Sequence, residues 1–497
     1  MTLVRVDPLH AQRPLHGVAA SRAIEAAAQA ALPAHTLMQR AGLAVARLAL
    51  AVAPHAERVW VAAGPGNNGG DGLEAALQLR RFGKPVSVTI YGAAQRTPAD
   101  AALSLQRAQA AGVPIEEPPA LQRGDLAIDA LLGLGARSIA HTPLAAAVEA
   151  LNRVACPVLA IDLPSGLAAD TGQPLGGPVV NATHTVSLLT LKPGLYTGAG
   201  RDHTGVIWFD DLAVDSSAAP PDARLSGGAD ALQPLPMRRH VQHKGSFGDV
   251  VVVGGAHGML GAALLAARAA HAAGAGRVYL DLLDASLAHD ATRPELMFRA
   301  GWWKSTPAHL GAATVLAGCG GGSSVREALA PLVAHTRRLV LDADALNAIA
   351  SDQTLRRQLQ GRAPRERLTL LTPHPLEAAR LLDTSAAAVQ QDRLHAAHEL
   401  CHRYRCGIVL KGSGSIVCVP GRMPLINPSG DAKLASAGSG DVLAGWIAGY
   451  WAQDDEASLE KLVRVVAASV FRHGLAAERA STTPLRAGDL IEAMRGL

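Results

Sequence analysis

Short apolar runs alternate with alanine-rich segments along most of this chain. In the first half the apolar runs are RVWVAA, PVSVTIYG, DLAIDALLG, PVLAIDLPSG and HTVSLLTLKPG, and each ends in turn-forming residues. In the second half the pattern restarts with GDVVVVGG, GAGRVYLDLLD, ATVLAGCGGG, RLVLDADALN, LTLLTPHP and GIVLKGSGSIVCVP. Such runs are typical of buried parallel strands, and the segments between them have helical spacing. The alternation predicts βαβ units around a parallel sheet in each half.

Two segments fall outside this alternation. Residues 21–53 have apolar positions at helical spacing and predict one or two opening helices, broken at Pro33. The stretch from Asp215 to Pro236 is rich in Pro, Ser, Gly and Asp and has no periodicity, which is typical of a linker. A chain of 497 residues is longer than one hydrophobic core usually serves. We therefore expect two α/β domains, at residues 1–215 and 236–497, joined by a linker at 216–235.

Composition excludes several classes of protein. The formal net charge is only +4 and aromatic residues make up 3% of the chain, so a nucleic-acid-binding surface is not indicated. The N-terminus lacks the features of a secretory signal, and the most apolar early segment is too short to span a bilayer. We therefore expect a cytoplasmic protein that binds neither nucleic acid nor membranes.

The cysteines suggest no structural bridge or metal site. There are five of them, an odd number spread over a long chain, which argues against a disulfide framework. In CHRYRC, His402 stands between Cys401 and Cys406, but no fourth metal ligand is near. We interpret this segment as a helix end with ordinary thiols.

The segment GPGNNGGDG, from Gly64 to Gly72, lies where a strand should meet a helix. Its glycines allow positive φ values and let a ligand approach the backbone, while a helix N-terminus favours anions. Its spacing matches neither GxGxxG nor the Walker-type loop. Asp129, Asp162 and Ser165 stand at later strand ends. Amide, carboxylate and hydroxyl oxygens there suit a hard cation such as a monovalent ion, although they are also common turn formers.

The motifs NNGGDG, DALLGLGARS, DLPSGLAADTG and LKPGL, preceded by LMQRAG, resemble the N-terminal epimerase domain of the NAD(P)H-hydrate repair enzymes. The resemblance covers nearly all of residues 1–215 and implies a Rossmann-like three-layer fold that interconverts R and S hydrates of NAD(P)H. It implies potassium bound by Asn68, Asp129 and Ser165. Epimerisation at C6 needs proton movement, for which Asp162 is our candidate acid/base. The implied contacts to the hydrated nucleotide are Asn67, Asn68, Gly69, Gly70, Asp71, Gly133, Leu134, Gly135, Ala136, Arg137, Ser138, Ile139 and Asp162.

Three residues of this half leave questions open. Lys192 could face substrate phosphates or form a structural salt bridge. Gln39 stands where the family usually has an acid, and Glu74 stands where an apolar residue is common. Neither departure falls on an implied ligand, so we expect Gln39 and Glu74 to affect packing more than chemistry.

A second glycine-rich turn, ASAGSGDVLAGWIAGYW, places Gly438 and Gly440 just before Asp441, where a helix should begin. Glycines at a helix N-terminus form a site for phosphoryl oxygens. Asp441 could accept a hydroxyl proton as that oxygen attacks phosphorus, or it could simply cap the helix.

With QHKGSFGDVVVVGG, LAGCGGG, LDADALN, TPHPLEAARLL and VLKGSGS, this turn resembles the ribokinase-like dehydratase domain of the same family, over about residues 236–497. The resemblance implies that ADP, with Mg²⁺, phosphorylates the C6 hydroxyl of the S hydrate and that elimination restores NAD(P)H. It implies Asp441 as the base. The implied contacts are Ala262, Gly320, His374 and Asp441 to the hydrate, and Lys411, Gly412, Ser413, Gly414, Ser415 and Gly440 to the nucleotide.

Two features qualify this second resemblance. Cys319 and Gly321 replace the usual Pro and Leu, and Ala437 replaces a glycine, but none of these changes removes a polar group that the mechanism uses. His374 could instead be a strand-end histidine bonded to its neighbours.

One chain that carries both repair steps is the leading hypothesis. Its partners would be NADHX, NADPHX and ADP, with K⁺ in the first domain and Mg²⁺ with ADP in the second, and we expect a homo-oligomer. The alternative is a ribokinase-like small-molecule kinase fused to a non-catalytic Rossmann-like binding domain. Retention of Asn68, Asp129, Asp162 and Ser165 argues against a non-catalytic module, and the TPHP and LKGSGS pairing argues against the kinase.

Overall fold

A computed structural model of the chain divides into two compact units. The first comprises Met1–Asp7 and Arg13–Arg224, and the second comprises Pro8–Gln12 and Leu225–Leu497. The structure describes residues 3–10, 12–92, 97–136, 138, 143–232, 238–365, 367–453 and 458–497. Each unit has its own sheet and core, so each is described separately.

From β3 to β6, strands and helices of the first unit alternate, and β7 then follows β6 with no helix between them. Its strands are β1 (Val4–Arg5), β2 (Arg13–Leu15), β3 (Val59–Ala63), β4 (Val86–Ile90), β5 (Leu126–Ala130), β6 (Val158–Ile161), β7 (His184–Leu188) and β8 (Val206–Asp210). Its helices are α1 (Val18–Ala31), α2 (Thr36–Val52), α3 (Asn67–Arg81), α4 (Ala99–Ala110), α5 (Pro143–Arg153) and α6 (Gly200–His203). The break between α1 and α2 falls at Pro33, as the sequence pattern predicts.

The first sheet has the order β1-β8-β7-β6-β5-β3-β4. Its strands pair in parallel, except β1, which is antiparallel to β8. Because β3 pairs with β4 on one side and with β5 on the other, the strand order reverses at β3. In open α/β sheets, ligands bind outside the carboxyl ends of the strands at such a reversal.

Both faces of this sheet are buried under helices. In β3, Val59, Val61 and Ala63 face a core shared with α2 and α3, whereas Trp60 and Ala62 face a core shared with α5. Since side chains alternate between the two faces, a strand covered on both sides has a continuous apolar sequence. The α/β prediction for this half is confirmed.

The glycines of GPGNNGGDG allow close packing and do not adopt positive φ. Helix α3 already begins at Asn67. The structure describes all of residues 64–72, and no glycine there has positive φ. The expectation that these glycines use positive φ was therefore wrong. A Cβ added at Gly69 would lie 1.9 Å from the Gly64 carbonyl oxygen, and one at Gly64 would lie 1.9 Å from the Leu131 carbonyl oxygen. The bare backbone therefore lets α3 start directly against the ends of β3 and β5.

The second unit repeats the alternation. Its strands are β10 (Asp249–Gly254), β11 (Arg277–Leu282), β12 (Met297–Phe298), β13 (Thr314–Ala317), β14 (Arg338–Leu341), β15 (Leu368–Leu371), β16 (Gly407–Leu410), β17 (Ile416–Cys418) and β18 (Leu425–Ile426), after β9 (Ala223–Leu225), which spans the boundary. Its helices are α7 (Gly228–Ala231), α8 (Leu260–Ala272), α9 (Pro307–Ala312), α10 (Val325–His335), α11 (Ala343–Ala350), α12 (Gln353–Gln360), α13 (Pro375–Leu382), α14 (Ala386–Gln391), α15 (Arg393–Tyr404), α16 (Ser439–Ala452), α17 (Leu459–Arg479) and α18 (Ala487–Arg495).

The sheet of the second unit includes β12-β11-β10-β13-β14-β15-β16-β17-β18 in that order. Pairing is parallel from β12 to β16 and antiparallel from β16 to β18. Here the strand order reverses at β10. Val250 and Val252 of β10 lie in a core with residues of α8, α16 and α17. The prediction of a second, mainly parallel α/β domain is confirmed.

Residues 216–232, the described part of the predicted linker, are more ordered than composition predicted. They contain β9 and α7, and Ala223 and Leu225 are buried. Among the helices that the structure describes, none is both long enough and apolar enough to cross a membrane.

Replacing Gly69 with alanine should lower the free energy of unfolding of the first unit by ~1–3 kcal/mol, the usual cost of overpacking. The added methyl group would collide with the Gly64 carbonyl oxygen. Gly66→Ala is the matched control, because a Cβ there meets no atom within 4 Å. Thermal unfolding of the full chain measures both variants, and equal stability would contradict the packing role.

Candidate functional site

A cleft of about 430 Å³ opens at the carboxyl ends of β3, β5, β6 and β7. Gly69 and Gly70 do not line it, because Gly69 packs on Gly64 and Gly70 packs on Met38. Ser138 is exposed, and Arg137 and Ile139 lie outside the described residues. The implied nucleotide contacts that do line the cleft are Asn67, Asn68, Asp71, Gly133, Leu134, Gly135, Ala136 and Asp162.

The residues of one wall of this cleft were not predicted from the sequence. Arg22, Glu25 and Gln29 of α1 line it, together with Asp100 of α4. The spacing of the three α1 residues places them on one helix face, which is the only sequence signal they carry. A polar helix face normally indicates exposure to solvent, so that signal does not point to a site.

Asp162 is held at the edge of the cleft by a buried lysine. It follows β6 with φ of 68°, a left-handed conformation that is uncommon for residues other than glycine. Its carboxylate forms an ion pair with Lys192, which is fully buried and donates to the Leu188 carbonyl at 2.8 Å. Of the two roles left open for Lys192, the structure contains the salt bridge.

Two other carboxyl groups of the cleft are surrounded by negative charge. Burial and the nearby carboxylates of Asp162 and Glu25 raise the pKa of Asp71 well above its usual range. Burial and Asp162 also raise the pKa of Glu25. The cleft therefore combines a lysine-paired carboxylate with carboxyl groups that retain protons more readily, an arrangement that separates acid from base.

Asp129 and Ser165 meet at the ends of β5 and β6. Asp129 Oδ1 accepts from Ser165 Oγ at 2.6 Å, and Oδ2 accepts from the Ser165 backbone N–H at 2.8 Å. Burial raises the pKa of Asp129 to about 6. Asn68 joins neither residue through a hydrogen bond in the described part of the chain, and its buried Nδ2 has no partner there. The structure thus brings two of the three implied potassium ligands into direct contact.

In the second unit, polar groups converge at the ends of β13, β14 and β16. Cys319 Sγ and carboxylate oxygens of Asp342 and Asp441 lie within 4.8 Å of one another. Lys411 Nζ donates to Asp342 Oδ1 at 2.7 Å, and a Cβ added at Gly440 would lie 3.4 Å from that Nζ. Helix α16 begins at Ser439, so Asp441 lies inside its first turn and does not start the helix as predicted.

The charges of this cluster oppose one another. Burial and the Asp342 carboxylate raise the pKa of Asp441 to about 6. Burial disfavours the Lys411 ammonium, but Asp342 and Glu377 more than offset this and raise the pKa of Lys411. At neutral pH the site therefore holds an ionised Asp441 next to a lysine cation.

Of the implied hydrate contacts, Gly320 follows β13, His374 follows β15, and Ala262 lies in α8. Gly320, with φ of 56°, packs on Ala262, because a Cβ added there would lie 3.0 Å from the Ala262 Cβ. His374 caps α13, with Nδ1 accepting from the backbone N–H groups of Leu376 and Glu377 at 3.1 and 3.2 Å. The alternative of a strand-end histidine bonded to its neighbours is thus the one observed, and about half of its side chain stays exposed.

The predicted nucleotide loop, Lys411 to Ser415, is the turn between β16 and β17. Gly412 and Gly414 have φ of 134° and 65°, which only glycine adopts readily. Ser413 is exposed, and Ser415 Oγ donates to the Gly412 carbonyl at 3.2 Å.

Arg393 of α15, which sequence reasoning missed, organises this loop. It is buried and donates to the carbonyls of Lys411 and Gly414 at 3.3 and 3.5 Å. Nothing in the local sequence separates Arg393 from an arginine on a solvated helix face.

Known proteins match both units. A family model described as YjeF-related protein N-terminus matches residues 34–194, and one described as NAD(P)H-hydrate dehydratase matches residues 250–495. The bifunctional NAD(P)H-hydrate repair enzyme of Escherichia coli (strain K12) is 37% identical over 432 residues, which cover 85% of this chain and 82% of the relative. That of Coxiella burnetii (strain RSA 493 / Nine Mile phase I) is 35% identical over 465 residues, with 92% of each chain covered.

The chain belongs to the bifunctional NAD(P)H-hydrate repair enzymes. The family predicted from the two sets of motifs is thereby confirmed. A solved ADP/ATP-dependent NAD(P)H-hydrate dehydratase from Bacillus subtilis, co-crystallised with ATP and Mg²⁺, is also similar, with 26% identity and a TM-score of 0.42. The match covers 54% of this chain and 94% of the Bacillus subtilis chain.

Glu74 of α3 holds a carboxylate inside the first unit. It is fully buried, accepts from Arg107 Nε at 2.7 Å and lies 2.9 Å from His35 Nε2. His35 Nδ1 lies 3.4 Å from an oxygen of Asp100, which lines the cleft. The Glu74 carboxylate therefore belongs to a partly buried ionic network that reaches the cleft wall at Asp100.

Replacing Glu74 with alanine should lower the free energy of unfolding by ~3–5 kcal/mol, because it leaves buried polar partners without their anion. Glu149→Ala is the control, since its side chain is 58% exposed and lies 3.7 Å from Arg153. Loss of such a surface pair should cost ~0–1 kcal/mol. Denaturant unfolding followed by circular dichroism compares the two variants, and similar losses would contradict the role of the network.

Proposed function

We propose that this chain repairs hydrated NADH and NADPH in two steps, epimerisation in the first unit and ADP-dependent dehydration in the second. ADP would be converted to AMP and phosphate. The observation that carries the proposal is that each unit has its own polar site at the carboxyl edge of its sheet. One is built around Asp162 and Lys192, and the other around Asp342, Lys411 and Asp441.

In the first unit, Asp162 is the proposed acid/base catalyst at the hydroxyl-bearing C6 carbon. Its ion pair with Lys192 fixes its position at the cleft. Asp71, whose pKa burial raises, is suited to donate a hydrogen bond or a proton to the same substrate. Asn67 and the segment 133–136 would hold the nucleotide against the other wall.

Potassium is proposed to bind Asn68, Asp129 and Ser165. The donor set fits, because amide, carboxylate and hydroxyl oxygens are the ligands that hard cations prefer. Asp129 is a buried carboxylate whose described partners are N–H and O–H groups. A bound cation would supply the positive charge that this carboxylate otherwise lacks.

In the second unit, Asp441 is the proposed base. It would take the C6 hydroxyl proton as that oxygen attacks the terminal phosphorus of ADP, and the bond from that phosphorus to the oxygen that leaves with AMP would break. The ring nitrogen lone pair then expels phosphate, and loss of a ring proton completes dehydration. Lys411 and the backbone at Gly440 would neutralise the phosphoryl charge. Mg²⁺, accompanying the diphosphate, would find a hard oxygen ligand in the Asp342 carboxylate.

The kinase alternative is not better supported than this proposal. Relatives named as bifunctional repair enzymes match across both units, whereas a kinase fused to an unrelated module predicts no such continuity. The homo-oligomeric state and the cytoplasmic location stay predictions.

Two substitutions should separate the reactions when racemic NADHX and ADP are supplied. Asp441→Asn should abolish NADH formation but leave R–S exchange, because only the dehydration base is lost. Asp162→Asn should stop conversion at about half, with the R isomer remaining, since the dehydratase acts on the S form. NADH absorbance and chiral chromatography measure the two outcomes. A folded variant that loses both reactions would contradict the assignment.

Dehydration should slow as pH falls through about 6, because Asp441 must be ionised to act as a base and its pKa lies near that value. The initial rate of NADH formation from pure S hydrate, at limiting substrate, measures kcat/KM across the series. Circular dichroism at each pH confirms that the chain remains folded. A rate that stays constant down to about pH 5 would rule out Asp441 as the titrating base.

A further inference from the structure

The α1 wall of the first unit's cleft carries a basic side chain that the proposed mechanism does not use. Arg22 and Glu25 of α1 both line the cleft. Arg22 is exposed, and within the described part of the chain no hydrogen bond or ion pair engages its guanidinium. Lys192 is not among the described lining residues, and its ammonium is already paired with Asp162. Among the described residues, Arg22 is therefore the cation that remains available to a ligand in this cleft.

Helix α1 is fixed to the rest of the first unit, so the fold defines where Arg22 stands. The backbone N–H groups of Gly17 and Val18, at the start of the helix, donate to aspartate side chains at 2.7 Å each. The buried hydroxyl of Ser21 lies 2.7 Å from the hydroxyl of Thr190. Because these contacts hold the inner side of the first turns, the cleft-lining side of α1 keeps its orientation.

The guanidinium of Arg22 extends from α1 to the loop that follows β5. A Cβ added at Gly135 would lie 3.9 Å from Arg22 Nη2. Gly135 belongs to the segment 133–136, which also lines the cleft and is among the nucleotide contacts that the family resemblance implies. Arg22 and this segment therefore stand on two sides of the same end of the cleft.

The other charged side chains of the described cleft lining are all acidic. They are Glu25, Asp71, Asp100 and Asp162. A phosphate placed among these carboxyl groups would be repelled, whereas arginine pairs well with phosphate oxygens because its planar guanidinium donates two parallel hydrogen bonds. The cleft is thus electrically asymmetric, with a cation beside the segment 133–136 and carboxyl groups elsewhere. Such a distribution favours one orientation of a ligand that has phosphates at one end and an uncharged ring at the other.

We propose that Arg22 binds a phosphate of the hydrated nucleotide and so determines which way the nucleotide lies in the cleft. The inference rests on the proposed epimerase function of the first unit. Phosphate oxygens accept from the guanidinium between α1 and the segment 133–136, and the hydrated ring then extends toward Asp162. Arg22 is a specificity-determining residue, since it holds the substrate away from the reacting carbon. NADHX offers its diphosphate for this contact, and NADPHX offers a 2′-phosphate in addition.

The test measures R–S exchange by the full chain without ADP, so that dehydration does not consume the S form. Pure S hydrate is supplied, chiral chromatography follows the R form, and the enzyme-free rate is subtracted. Arg22→Ala should raise KM ~10–100-fold, the usual effect of losing a hydrogen bond to a charged group, and leave kcat nearly unchanged. Arg22→Lys should recover part of the loss because it keeps the charge. Arg81→Ala is the matched control, since Arg81 is an exposed arginine of α3 that is not among the described lining residues, and it should keep the parent KM.

Two substrates distinguish the phosphates that Arg22 contacts. If the contact is to the diphosphate, Arg22→Ala should raise KM by the same factor for NADHX and NADPHX. If it is to the 2′-phosphate, only KM for NADPHX should rise. In both cases added sodium chloride, at constant potassium, should raise KM of the parent chain more steeply than KM of Arg22→Ala, because the screened interaction is already absent from the variant.

Three results would overturn the phosphate assignment. They are an unchanged KM for both substrates in Arg22→Ala, a fall in kcat without a change in KM, and a loss in Arg22→Ala that leaves the salt dependence of KM as it is in the parent. Circular dichroism of each variant checks that α1 and the rest of the chain remain folded. Absence of R–S exchange in the parent chain would instead contradict the proposed epimerase function itself, so the two failures are distinguishable.

Discussion

A lysine–aspartate ion pair at the carboxyl edge of each sheet constrains both candidate sites; Lys192 is fully buried, and the side chain of Lys411 is 19% exposed. Lys192 follows β7 and pairs with Asp162, which follows β6, while Lys411 follows β16 and pairs with Asp342, which follows β14. An ammonium group removed from water is tolerated only beside a fixed anion, so each pair fixes an aspartate where strand ends meet. In the first unit that aspartate is the proposed catalyst, and in the second it adjoins the proposed base, Asp441.

The same electrostatic arrangement serves different chemistry in the two units. Each site places a lysine-paired carboxylate near a carboxyl group whose pKa is raised by burial and by negative neighbours, Asp71 in one case and Asp441 in the other. Epimerisation must move protons in both directions at one carbon, which suits an acid and a base in one cleft. Phosphoryl transfer needs one base and compensating positive charge, which Asp441 and Lys411 provide.

Buried polar groups away from these sites also depend on partners distant in sequence. Glu74 is stable inside the first unit because Arg107 and His35 meet it. Arg393 is stable because loop carbonyls accept its hydrogen bonds, and the loop gains a fixed shape in return.

The sequence by itself determined the layered α/β architecture, the two-part organisation, the family and the strand ends where Asp162, Asp441 and Lys411 stand. Apolar periodicity and turn chemistry are local, so they can be read without knowing the topology. Only the tertiary structure decided that Lys192 pairs with Asp162 and that the Gly64–Gly72 glycines accommodate neighbouring backbone. Those contacts join residues from different elements. Which residues become partners depends on the order of the strands in each sheet, and local sequence patterns do not specify that order.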